Sequence, residues 1–288
     1  MYPILFELGP LTIRSYGVML ALSFLSGIYL ALKRSETRNL NTNQMANMCL
    51  LIIVFSIIGA RLMYVIPHWD EFKATPLDVI SPFQSTGGIG LTGLTMYGGF
   101  IGALAASLLY LKRQRIPVLR ACDAFAPSIA LGIGLTRIGC FLNGCCFGMP
   151  TDLPLGVTFP LNSAAGSFYP DAHLHPAQLY NAILGMGMFA LLLWSDRKER
   201  FDGFVFSLLL ILEPITRFVV DFFRYYESSM TLTSIGGTPL SVNQGISILL
   251  CGIGFLLLGW LRNQNLKKKT RKAPPPSRKN TAIAPERA

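Results

Sequence analysis

In an otherwise apolar chain, the stretch LTRIGCFLNGCCFG sets Arg137 beside Cys140, Cys145 and Cys146. A cation next to three thiols admits metal ligation, thiol redox exchange, or anion recognition with the thiols as small packing groups. The C-x4-C-C spacing is not the paired C-x2-C of zinc sites or thioredoxin-like centres, so no metal site is expected. A disulfide among the three stays open, because connectivity is not written in the sequence, and a catalytic thiol has no evident partner. Cys49, Cys122 and Cys251 fall in or beside apolar runs, where packing is the default.

The arginines point more clearly to one chemistry. Arg61, Arg137 and Arg217 lie inside or at the rim of apolar runs, and Arg14 and Arg224 lie close by. Within a membrane span an arginine costs at least about 2.5 kcal/mol, so it is paired or functional. Several at one depth suit an anion, because guanidinium binds phosphate bidentately. In ILEPITRFVVDFFR, residues Glu213, Arg217, Asp221 and Arg224 recur at helical spacing and form one stripe. Such a stripe reads either as a self-neutralising network or as the wall of a positive cavity whose carboxylates hold the arginines. Tyr16 with Gly17, Tyr97 with Gly98 and Gly99, and His175 with Gln178 and Tyr180 open three further apolar runs. The glycines of TGGIGLTGLTMYGG either let backbone approach a ligand or form a flexible loop. No strand precedes them, so a dinucleotide reading has no support.

The elements that would carry these residues are membrane helices. Only 14% of the 288 residues are charged, against about 25% in soluble chains. Mean hydropathy is +0.46. Spans of roughly 17–25 residues are expected at 16–32, 48–66, 96–111, 118–136, 177–195, 203–223 and 242–261. The fourth is interrupted by Pro127 and glycines. The expected fold is all-α, a polytopic membrane protein with seven transmembrane helices in residues 1–265. Lysines and arginines gather after spans one, three, five and seven, which predicts the N-terminus outside and the C-terminus inside. Lys33 and Arg34 follow the first apolar run instead of preceding it, unlike a cleavable signal peptide. Residues 266–288, with KKKTRK and PPP, read as a disordered basic cytoplasmic tail beside anionic membrane lipids. Its charge implies no nucleic-acid partner.

IRSYGVM, GARL, MYGG, TRIGCFLNGCCFG, HPAQLY and TRFVVDFFR occur in an order and spacing that resembles the phosphatidylglycerol:prolipoprotein diacylglyceryl transferase family. The resemblance runs from about residue 3 to 262. It implies a seven-helix enzyme of the bacterial inner membrane with its N-terminus outside. Such an enzyme moves diacylglyceryl from phosphatidylglycerol to the lipobox cysteine thiol of a prolipoprotein, releases glycerol phosphate, and uses no cofactor.

Carried over by motif, Arg137 and Asn143 belong to the family signature, and Gly139 and Gly144 shape its turn. Arg217 matches the essential arginine of the sixth span, with Asp221 and Arg224 following it. Tyr16, Arg61 and His175 match the tyrosine, arginine and histidine of their motifs. Three positions depart from the common pattern. Tyr97 stands in place of a histidine proposed as a base, Cys140 and Cys145 replace Asn and Glu, and Glu213 replaces a tyrosine. The implied roles place Arg137 and Arg217 on the phosphate, supported by Arg61 or Arg224. Gly98, Gly99, Asn143 and Gln178 are the further substrate contacts. His175, Asp221 or a tyrosine (Tyr16 or Tyr97) takes the thiol proton. The rival reading is a non-enzymatic carrier of anionic lipid or solute through the same cavity.

Overall fold

The computed structural model describes residues 3–8, 11–73, 75, 79, 93–198, 200–226, 231–235 and 238–272. The chain is a helical membrane protein. Its helices are α1 (Ser15–Thr37), α2 (Thr42–Val65), the short α3 (Trp69–Phe72), α4 (Met96–Arg113), α5 (Val118–Asn143), the short α6 (Ala164–Phe168), α7 (Ala177–Ser195), α8 (Phe204–Asp221) and α9 (Val242–Lys272). Five of them, α1, α2, α5, α7 and α9, are long and apolar enough to cross a membrane. By contrast, α4 ends on Lys112 and Arg113, and α8 carries Glu213, Arg217 and Asp221. Leu25, Leu50, Ile183, Leu249 and Leu256 point outward unburied. In lipid no hydrophobic force turns such side chains inward.

Helix α5 is the centre. It packs against α1 on one side and α7 on the other, α2 pairs with α4, and α8 pairs with α9. Glycines permit these approaches. A side chain on Gly185 of α7 would sit 3.0 Å from the backbone nitrogen of Gly134, and Ser23 of α1 donates to the Gly132 carbonyl at 3.2 Å. A Cβ on Gly59 would collide with the Gly98 carbonyl, and one on Gly102 with the Phe55 carbonyl, so α2 and α4 meet through small residues.

Three differences from the sequence reading follow from local chemistry. Pro127 does not interrupt α5, which runs unbroken from Val118 to Asn143, so Arg137, Gly139 and Cys140 are helical and not part of a turn. Pro127 is fully buried there. Helix α9 continues to Lys272, into the stretch read as disordered tail, because lysine and arginine are good helix formers and suit a helix C-terminus. Residues 273–288 lie outside the described residues, as do 86–92 of the glycine-rich run. The fold also contains two antiparallel hairpins, β1 (Ile4–Leu8) with β2 (Leu11–Arg14), and β3 (Thr231–Ile235) with β4 (Thr238–Ser241). Strand β2 runs into α1, and β4 runs into α9. At that last junction Ser241 and Gln244 form a reciprocal cap: the serine hydroxyl accepts from the Gln244 N–H at 3.1 Å, and the glutamine carbonyl accepts from the Ser241 N–H at 2.9 Å.

At the end where α5 begins, here the basic end, arginines and aspartates interlock. Arg34 pairs with Asp196 at 2.7 Å, Arg38 pairs with Asp123 at 3.1 Å and with Asp196, and Arg120 pairs with Asp202 at 3.0 Å. At the other end the chain between α5 and α7 forms a small head. Phe159, Ala165 and Leu174 are its core, and Phe147 stacks on Tyr225 at 5.7 Å.

Candidate active site

The candidate site sits where α5 finishes, beside the first residues of α1 and α7 and the last turn of α8. Helix α5 ends in a two-bond reversal. The N–H of Cys145 reaches the Cys140 carbonyl at 3.1 Å, and that of Gly144 reaches the Phe141 carbonyl at 3.1 Å. Gly144 is left-handed (φ +71°), and a Cβ there would lie 2.6 Å from that of Ser163. The reversal needs a glycine on both counts. Gly139, by contrast, faces α1, where a Cβ would meet Met19 at 2.9 Å and Tyr16 at 3.5 Å. It brings Tyr16 against α5 and does not shape the turn.

Beyond the reversal the chain is gripped from two sides. Gly148 bridges to Arg224, with its N–H on the His175 carbonyl at 3.1 Å, while Met149 donates to the Phe223 carbonyl at 3.0 Å and Tyr225 to the Phe147 carbonyl at 3.2 Å. Gln178, fully buried at the start of α7, donates its Nε2 to the Cys145 carbonyl at 2.8 Å. These bonds tie the end of α5, the start of α7 and the end of α8 into one site.

The arginines there are only partly satisfied. Arg137 makes no hydrogen bond or ion pair with any described residue, yet it lies within electrostatic reach of Tyr16, Cys146 and Glu213. Arg224 lies 4.9 Å from the Tyr226 ring, and its buried Nε and Nη1 find no hydrogen-bond partner among the described residues. The Nε of Arg217 pairs with Asp221 at 3.5 Å. The Asp221 side chain is 1% exposed and also accepts from the Tyr226 hydroxyl at 2.7 Å and the Ser241 hydroxyl at 2.9 Å. Burial holds the Tyr226 phenol above its usual range, which keeps it a donor to that carboxylate. Of the two pairs expected on the α8 stripe, Arg217–Asp221 forms. Glu213 makes no ion pair among the described residues and stands between the charges of Arg217 and Arg137.

His175 is half-buried against Phe223, with ring centres 5.2 Å apart, and its Nδ1 is 3.3 Å from the Tyr180 hydroxyl. Asn143 is the last residue of α5, two residues before Cys145, whose thiol donates to the Cys140 carbonyl at 3.7 Å. Tyr16, Arg137, Asn143, His175, Gln178, Arg217, Asp221 and Arg224 therefore share this end of the bundle.

Four further expected site residues lie on the α2–α4 pair. Arg61 donates to the Val79 carbonyl at 2.9 Å and the Gly93 carbonyl at 3.4 Å, and lies 5.0 Å over the Phe72 ring. It fastens the α2–α4 connection. Gly98 and Gly99 pack on the backbone of α2, and Tyr97 is 61% exposed at the start of α4. Sequence reading did not find Ser241 and Tyr226, which satisfy Asp221. Their signal was faint: a serine opening an S-x-x-Q cap and one tyrosine of a pair.

Below the site, α1, α2, α4 and α5 enclose an apolar cavity of about 350 Å³ lined by Phe24, Ile28, Ile53, Leu104 and Gly132. Arg137 follows Gly132 along α5 by just over one turn.

An apolar bundle with unsatisfied guanidinium donors at one end, above an apolar cleft, has the layout of a membrane protein that handles an amphiphilic anion. The chain belongs to the prolipoprotein diacylglyceryl transferase family, whose model matches residues 3–260. It is similar to a phosphatidylglycerol--prolipoprotein diacylglyceryl transferase of Clostridium tetani, with 38% identity covering 78% of this chain and 86% of the relative. It is also similar to proteins of that name from Clostridium perfringens (the second of its kind there) and Mannheimia succiniciproducens, each 32% identical over 92% of this chain and 95% of the relative.

Proposed function

We propose that this chain transfers the diacylglyceryl group of phosphatidylglycerol to the lipobox cysteine thiol of a prolipoprotein, releasing glycerol phosphate. The observation that carries this reading is the pair of buried Arg224 donors without a partner among the described residues, beside Arg137 and the carboxylate-held Arg217. In the reaction the peptide sulfur bonds to a glycerol carbon, and that carbon's bond to the phosphate oxygen breaks. The phosphate keeps the electron pair. Charge therefore grows on the phosphate as the transition state is reached, and preplaced guanidiniums stabilise it more than the bound lipid.

Arg137 and Arg224 take the phosphate, while Arg217 completes the clamp under the direction of Asp221. Asp221 accepts three contacts from the chain itself, so its role is positioning. His175 takes the thiol proton. Asn143 and Gln178 act on the turn that presents Arg137. The acyl chains lie in the apolar cavity below. This reading has seven spans in the bacterial inner membrane, with the site on the outer side, where prolipoproteins emerge.

The test incubates purified chain with phosphatidylglycerol and a lipobox peptide and follows the peptide's mass. Addition of diacylglyceryl, lost in Arg137→Ala, is expected. No addition by the intact chain, or full activity after Arg137→Ala, overturns the reading. Movement of intact phospholipid across proteoliposomes without thioether product would show a carrier instead.

A further inference from the structure

The three thiols that spacing alone reads as packing converge in space. The sulfurs of Cys140, Cys145 and Cys146 all lie within 4.8 Å of one another, and all three are free thiols. The α5 reversal brings this about: it folds residues 145 and 146 back over the last helical turn, which carries Cys140. Cys146 itself is left-handed (φ +58°). A side chain with a Cβ is uncommon there and costs of order 1–3 kcal/mol, a cost met only where the surroundings fix the conformation. The Gln178 bond to the Cys145 carbonyl and the Gly148 bridge are those surroundings. Packing of small side chains would need neither the strained residue nor the buried amide.

Sulfurs bound at about 2.3 Å to one tetrahedral ion stand about 3.8 Å apart, so three thiols within 4.8 Å of one another need close by no more than about 1 Å to share a thiophilic ion. Among the described residues no histidine or carboxylate joins the group. Three protein ligands leave one position open, the pattern of reactive and not structural zinc sites. Three thiolates around a dication carry one net negative charge. The guanidiniums of Arg137 and Arg224 stand near Cys146, and Arg224 has buried donors to spare. Metal-bound sulfurs are commonly held by just such outer donors.

We propose that Cys140, Cys145 and Cys146 bind a soft closed-shell cation of the Zn2+ class, whose fourth position accepts the incoming peptide thiol. The fourth-position claim rests on the transferase reading above, whereas the metal site does not. The thiol gives its proton to His175 and its sulfur bonds the ion. A sulfur lone pair then forms the S–C bond as the C–O bond breaks toward phosphate. The product thioether is a weak ligand and leaves, and no electron changes hands.

The test titrates full-length, reduced, metal-free chain in detergent with Co2+ and then Zn2+. One Co2+ per chain is expected, with intense sulfur-to-metal absorption and tetrahedral visible bands, displaced by Zn2+. Cys145→Ser and Cys146→Ser should each weaken binding by more than about 100-fold, beyond the ~10–100-fold of losing an outer partner. Cys49→Ser and Cys251→Ser should leave binding unchanged, and circular dichroism reports the fold of every variant. A lipobox peptide, but not its serine analogue, should shift the visible bands. Absence of sulfur-to-metal absorption, unaltered binding by the triple serine variant, or a disulfide among the three as the native state overturns the site. Full transfer by metal-free chain removes the fourth-position role alone. Metal binding without any transfer refutes the transferase reading and leaves the site standing.

Discussion

The two ends of the bundle bury arginines in opposite ways. At the basic end Arg34, Arg38 and Arg120 face Asp123, Asp196 and Asp202, three charges against three. Arg34 also donates to the carbonyls of Ala124 and Asp123, and Asp123 accepts the N–H groups of Gly203 and Phe206, each at 2.8 Å. Among the described residues, the Arg38 Nε is the one buried donor of these arginines without a partner. At the site end Arg137, Arg217 and Arg224 face Glu213 and Asp221, three against two, and the one ion pair among the described residues is the longer 3.5 Å contact. Burial costs a guanidinium about the same at either end. Where the chain supplies the counter-charge the arginines join helices, and where it supplies less, guanidinium donors are left over.

Breaking the basic end should therefore cost the fold and spare the chemistry. Asp123→Ala leaves Arg38 with Asp196 alone and strands the buried N–H groups of Gly203 and Phe206, for an expected loss of about 2–5 kcal/mol. Thermal unfolding in detergent would show it, with transfer per folded molecule unchanged. Breaking the site end should do the reverse. Arg137→Ala removes a side chain with no described bonding partner, so unfolding should scarcely move. Transfer should fall about 100- to 1,000-fold, the scale of losing one donor to a developing anion. A large stability loss for Arg137→Ala would erase the contrast.

The same contrast explains what could be read in the sequence. Helix positions were legible because lipid demands long apolar runs, and α7 is found at the residues expected, Ala177–Ser195. Arg137, Arg217 and Asp221 were legible because a charge in such a run is conspicuous. Arg61 was equally conspicuous and is bound to loop carbonyls. An exceptional residue signals its cost but not its partner, and partners come from distant parts of the chain. Asp123, within the fourth expected span, and Asp196, just past the fifth, carry no local signal of a partner, yet they are the counter-charges of the basic end. The cysteines show the same limit. Their spacing matches no local metal pattern, and only the reversal at Gly144 brings the sulfurs together.

A smaller effect sharpens the comparison within the site itself, at Asp221. Asp221→Asn keeps an oxygen for Tyr226 or Ser241 but gives up the charge that holds Arg217. Transfer should fall about 10-fold, roughly the 1.4 kcal/mol of one weakened charge contact, and mainly through kcat if Arg217 acts on the departing phosphate. A fall confined to KM would instead mean that Arg217 only helps to bind lipid.

Tyr226→Phe should be milder still, because Asp221 keeps Ser241 and Arg217, and the lost bond is worth about 1 kcal/mol. Its signature is in pH. Burial raises the phenol, so the bond's contribution is fully present below the ordinary tyrosine value of 10.0 and disappears as pH climbs through the higher folded value. Wild type and Tyr226→Phe should then differ in unfolding temperature at neutral pH and converge in strong alkali. Curves that stay parallel across that range would show that the hydroxyl does nothing for Asp221.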